Sequence, residues 1–178
     1  MTLQTQRKKI FFRRAWLAVV VLVLSVLQNT DGWFPQIFGA RALLLIPVTA
    51  VISMYEKDIA GMFYGLFAGA LWDICAGGNN FNTIYLFVVG YACGVLINTI
   101  MRNNFVTHLL LSGVATSLYC FVYWLWHYVI AGTDRAFFIL FRYYFPTTIY
   151  TIVLSPFIFF LVRFVEKKYR SGMMTDII

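Results

Sequence analysis

The chain has 178 residues, 61% of them hydrophobic, 19% aromatic and only 12% charged, with a formal net charge of +7. An ordinary soluble domain is roughly a quarter charged, so this composition excludes a single water-soluble core and points to one polytopic membrane domain over residues 1–178. The positive charges flank apolar blocks and no base-reading module accompanies them. Anionic headgroups and topology account for them, and nucleic acid is excluded as a partner.

Six apolar blocks come close to, or exceed, the about 20 residues that a spanning helix needs. The first, Phe11 to Leu27, follows basic residues as a secretory signal would. Val26-Leu-Gln-Asn-Thr30 is a poor cleavage site, however, and the block is expected to be retained. The second, Ile37 to Met54, is joined to the third, Ile59 to Ala76, by a hairpin over Tyr55 to Asp58. The fourth, Phe81 to Met101, follows Gly77-Gly-Asn-Asn80, and the fifth, Phe105 to Ile130, follows Arg102-Asn-Asn104. The sixth, Phe137 to Val165, contains Pro146 and Pro156, which predict a kinked helix with Thr147, Thr148 or Ser155 bonding the carbonyls they free. Lipid cannot satisfy backbone amides, so each block is expected to be helical. The fold class is an all-α membrane protein with six transmembrane helices.

Orientation follows from the basic residues. With the N-terminus inside, the cytoplasmic side collects Arg7, Lys8, Lys9, Arg13 and Arg14, then Lys57 and Arg102, and finally Arg163, Lys167, Lys168 and Arg170. Arg41, Arg135 and Arg142 fall toward the outer side, and both termini are expected in the cytoplasm.

Gly61, Gly65 and Gly69 recur at every fourth residue, and Asp73 continues the step. Gly90 and Gly94 form a second small-residue pair on the next span. Small residues let helix backbones approach closely in lipid, so both faces are candidates for helix packing within the chain, or for binding a partner. Asp73 stands about 22 Å above Asp58 at about 1.5 Å per residue, near the outer end of its span. An intramembrane carboxylate needs a partner. Arg41 and Arg142 are candidates for an ion pair; a hydrogen bond fixing the turn at Gly77-Gly78 is the other option. With Asn82, these residues make up a candidate outer-end polar cluster.

Nothing in the sequence points to catalysis, a cofactor or a metal. His108 and His127 lie about 28 Å apart on one helix; His108 reads as a helix-start residue and His127 as part of an interfacial aromatic belt. No Ser-His-carboxylate arrangement, zinc-ligand spacing or phosphate-cradling loop is present. Asp73 has no second intraspan acid, and Cys75, Cys93 and Cys120 read as small apolar fillers.

Three stretches carry a family resemblance: Arg41-Ala-Leu-Leu-Leu-Ile46, Gly61-Met-Phe-Tyr-Gly-Leu-Phe-Ala-Gly-Ala-Leu-Trp-Asp73, and Asn82-Thr-Ile-Tyr-Leu-Phe-Val-Val-Gly-Tyr-Ala-Cys-Gly94. In that order they resemble the bacterial rod shape-determining protein MreD family, in size and span count as well. Arg41-Ala42 replaces the family's usual Arg-Pro, and the glycine often found after the turn near Phe81 is missing. The resemblance implies a non-catalytic, multi-pass scaffold or regulator of the cell-wall elongation machinery in the bacterial inner membrane. It would be needed for cell shape and would work beside MreC and the pair formed by RodA and a class B penicillin-binding protein. The resemblance also implies a fold similar to the S components of energy-coupling-factor transporters. That similarity supplies the alternative, a vitamin- or small-solute-binding transport component whose cavity would draw on Asn79, Asn80, Asn82, Asp73 and Arg142. Membrane lipids are expected neighbours, and a homodimer is left open.

Overall fold

The computed structural model describes residues 3–30, 32, 39–56, 58–77, 81–133 and 135–174. The elements are α1 (Leu3–Asn29), α2 (Leu45–Tyr55), α3 (Asp58–Ala76), α4 (Phe81–Thr99), α5 (Phe105–Trp124), α6 (Ala136–Ile139) and α7 (Phe145–Met174). A π-helical turn, Leu125–Val129, extends α5, and a second, Leu140–Tyr144, joins α6 to α7. Five helical stretches are long and apolar enough to cross a membrane: Ile10–Asn29, Asp58–Ala76, Phe81–Thr99, Phe105–Val129 and Ala136–Lys168. These match the expected first, third, fourth, fifth and sixth blocks closely, and the chain is a multi-pass helical membrane protein.

The second block departs from expectation. Ile37 to Met54 does not form a spanning helix: α2 has only 11 residues, or about 16 Å of rise, against a hydrocarbon core of about 30 Å. Gly39 adopts φ +83°, a left-handed conformation that breaks any helix entering from upstream, and helix begins again only at Leu45. Ile37 itself lies outside the described residues. Such irregular backbone survives at membrane depth only where protein covers it. Here it does: Ala40, Ala42 and Leu44 are buried, the Leu43 amide donates to Thr151 Oγ1 at 3.0 Å, and the Leu45 amide donates to Gln28 Oε1 at 3.0 Å. Side chains of α7 and α1 thus replace the upstream helical turn that α2 lacks.

Ten of the eleven α2 residues, Leu45 to Met54, are buried. The helix touches α1, α3, α4, α5 and α7 and forms the axis of the bundle. The core around it comprises Leu17 and Val21 of α1, Leu45, Ile46 and Ile52 of α2, Leu86 of α4, and Ile158, Phe159 and Val162 of α7. The outward faces of the surrounding helices stay apolar, as lipid requires.

Candidate functional site

All five glycines predicted as packing residues lie in the α3–α4 seam or beside it, and all are buried. A Cβ at Gly65 would fall on the Leu86 carbonyl of α4, with the Leu86 carbonyl carbon 2.8 Å away. At Gly69 it would lie 2.7 Å from Asn82 O, and at Gly94 2.8 Å from the Cα of Asp58. One at Gly90 would meet the Gly61 carbonyl oxygen, and one at Gly61 would sit 2.6 Å from Ser53 Oγ of α2. The backbones themselves are therefore in contact, and α3–α4 is the most extensive helix contact in the bundle. Of the two roles open to these glycines, the structure shows packing within the chain. A partner docking on them is corrected, because neighbouring backbone already occupies the space.

Asp73 is buried and brought together with Asn82; it is not paired with Arg41 or Arg142. Its Oδ1 accepts the Asn82 backbone amide at 3.2 Å and Asn82 Nδ2 at 2.8 Å. Its Oδ2 accepts the Thr83 amide at 2.7 Å and Thr83 Oγ1 at 2.5 Å. Asn82 and Thr83 are the second and third residues of α4, whose amides have no partner inside their own helix. Asp73 is thus an N-cap borrowed from the preceding helix, its negative charge set at the positive end of the α4 dipole. The predicted ion pair is corrected: hydrogen bonds from the next helix satisfy this carboxylate and close the hairpin, as the second option held. The network continues outward, since Tyr119 donates its hydroxyl to Asn82 Oδ1 at 2.6 Å and stacks on Trp72 at 5.2 Å between centroids.

Arg41 and Arg142 are exposed and stand apart from this pair. Arg41 lines a cleft of about 250 Å³ whose walls include Tyr119, Tyr123, Tyr143, Tyr144 and Thr147. Arg142 is not among its lining residues, and Asn79 and Asn80 lie outside the described residues. Of the side chains suggested for a solute cavity, Asp73 and Asn82 meet each other, and Arg142 does not join them at this cleft.

Two polar clusters escaped the sequence reading. At the opposite end of the bundle, Arg13 of α1 is paired with Glu56, just past α2, and its Nη1 lies 3.5 Å from Glu166 Oε2 of α7. Arg14 reaches Glu56 at 3.3 Å, and both carboxylates are buried. The start of α1 and the end of α7 are thereby clamped at one end. The signal for it was available, because Glu56 and Glu166 fall on the same side as Arg13 in the predicted topology. His108 is the second case. It stands in the first turn of α5, as expected, and is fully buried: its Nε2 lies 2.9 Å from Ser155 Oγ, which is 2.8 Å from Ser112 Oγ, and its ring stacks on Phe159. Ser155 therefore joins α7 to α5. The expected repair of proline-freed carbonyls is also corrected, since Thr148 and Thr151 bond the carbonyls of Tyr144 and Thr147, each four residues back. His127 stacks on Tyr123 with centroids 4.0 Å apart.

Among the described residues, His, Cys, Asp and Glu side chains nowhere gather in threes. Cys93 and Cys120 are buried and Cys75 is exposed. No family model, no curated protein and no solved structure matches the chain.

Proposed function

We propose that the chain is an integral scaffold of the bacterial cell-wall elongation machinery, of the MreD type. It would sit in the inner membrane with both termini cytoplasmic, hold the single span of MreC, and contact RodA and its class B penicillin-binding protein. Its helices, with the short α2 counted as the sixth, would then follow the arrangement of energy-coupling-factor S components.

One observation carries this proposal: the buried polar side chains bond from helix to helix within the chain. Asp73 and Asn82 close α3 onto α4, Arg13 and Glu166 close α1 onto α7, and His108 and Ser155 close α5 onto α7. A rigid apolar body built this way suits a molecule that positions others.

With the glycine faces covered, partner contacts fall on outward surfaces. On α1, Phe12, Trp16, Val19, Val23 and Val26 are exposed at alternating steps of four and three residues, the spacing at which one helix interlocks with another. Cysteines at Trp16, Val19 and Val23, cross-linked in rod-shaped cells, should give adducts with MreC, and depletion of the chain should round the cells. MreC adducts from no outward face of any helix, or rods that keep their shape on depletion, would overturn the proposal.

A further inference from the structure

The cleft walled by Tyr119, Tyr123, Tyr143, Tyr144 and Thr147 gathers hydroxyls that the bundle does not use. Tyr64, Tyr85 and, in the cleft itself, Tyr119 each donate to an oxygen of another helix. Thr148 and Thr151, close to Thr147 on α7, bond the carbonyls four residues back. The hydroxyls of Tyr123, Tyr143 and Thr147 have no hydrogen-bond partner among the described residues, and all three residues line the one cleft. Arg41, also in its wall, is already engaged within the chain.

The chemistry of these groups narrows the occupant. A hydroxyl gives one hydrogen bond and takes others, so three of them match a ligand whose own groups both give and take. A phosphate mainly accepts and an ammonium only donates, whereas the hydroxyls of a sugar do both. The tyrosine rings supply the other half of the match, because an aromatic face is negative and receives the C–H groups on the flat side of a sugar ring. About 250 Å³ falls short of the about 300–1,000 Å³ of pockets that enclose drug-sized ligands, which favours a single ring. The walls are also held in place beforehand, which lowers the ordering cost of binding. Tyr123 stands four residues after Tyr119 and four before His127 and stacks on both, at 5.8 and 4.0 Å between centroids. Tyr143 and Tyr144 belong to the π-helical turn Leu140–Tyr144, a distortion frequent at functional sites.

From this we infer that the cleft binds an uncharged sugar ring, free or carried by a lipid, with its hydroxyls bonded to Tyr123, Tyr143 and Thr147 and its C–H groups against the tyrosine rings. The full chain, in micelles of octyl tetraoxyethylene, is titrated with octyl β-glucoside, which has the same tail and adds the ring, with glucose, and with octyl phosphate. Bound species are counted by native mass spectrometry. Octyl β-glucoside should bind saturably. Tighter binding of the glycoside than of glucose assigns a lipid-borne ring, equal binding assigns a free sugar, and either sustains the site. The combined variant Tyr123→Phe, Tyr143→Phe, Thr147→Val keeps side-chain size and removes only the three hydroxyls, so it should weaken binding about tenfold or more. Tyr91→Phe, on the exposed side of α4, should leave binding unchanged. Thr147→Trp, which fills the cleft, should weaken it as much and preserves the test if the combined variant does not fold. Saturable binding of octyl phosphate in preference to the glycoside would overturn the uncharged ring. Undiminished binding to both cleft variants, or saturable binding of neither sugar, would overturn the site.

Discussion

Alanine at Gly65 is the sharpest probe of how α3 and α4 are joined. The added methyl carbon would stand 2.8 Å from the Leu86 carbonyl carbon and 3.3 Å from the Phe87 nitrogen, and nearer still to the Leu86 oxygen. Ordinary contact begins at 3.4 Å, so the helices must part by about 0.6 Å or more, because backbone cannot rotate aside as a side chain can. A gap of about 0.5–1 Å forfeits a quarter to a half of each dispersion contact it opens, and the seam runs from Gly61–Gly90 to Gly69–Thr83. Overpacking of this kind costs about 2–3 kcal/mol, offset by up to about 1 kcal/mol from the better helix propensity of alanine. A net loss of about 1–2 kcal/mol follows. Gly113 is the internal control, because a methyl there meets only the Ile152 side chain, Cδ1 at 3.5 Å and Cγ1 at 3.7 Å, so Gly113→Ala should be neutral or gain up to about 1 kcal/mol. Unfolding in mixed micelles with rising dodecyl sulfate, followed by circular dichroism, would rank the two variants. A Gly65→Ala midpoint equal to that of the parent, or below-parent stability for Gly113→Ala alone, would refute the reasoning.

Other perturbations test the polar joints by the same unfolding measurement. Asp73→Asn places an amide where Thr83 offers two donors, and should cost about 1–3 kcal/mol; parental stability would remove the borrowed cap. Arg13→Ala removes the cation shared by the buried Glu56 and Glu166 and should cost about 1.5–3 kcal/mol. Arg14→Ala removes a side chain that is 54% exposed and should cost under about 1 kcal/mol, so equal losses would contradict the clamp. In native micelles a maleimide should label Cys75 quickly and reach Cys93 and Cys120 only after unfolding, as read by mass. Labelling of Cys93 at the rate of Cys75 would place α4 wrongly.

How much of this could be read in the sequence depended on whether the signal was local. The helices other than α2 announced themselves by apolar length, and the four-residue glycine step announced the α3–α4 seam, because both are properties of contiguous residues. The extent of α2 was hidden. A helix buried on every side is apolar all round, so its residues look like a lipid-exposed span, and its true start depends on Gln28 and Thr151, which are remote in sequence. Asp73 invited a charged partner, and its donors proved to be two amides and two side chains nine and ten residues on; only the tight hairpin brings them within reach. The position of His108 at the start of α5 was legible, but its burial was not, because its partner Ser155 is 47 residues away.

The short axial helix also constrains the order in which the molecule can be assembled. Its entry segment, Ala40 to Leu44, carries amide groups that hydrocarbon cannot accommodate, and one of them is met by Thr151 on α7, 108 residues later in the chain. During synthesis this segment must wait beside water or a chaperoning helper, while α1 and the α3–α4 hairpin can already stand in the bilayer. The arrival of α7 is then the event that lets the centre of the protein close.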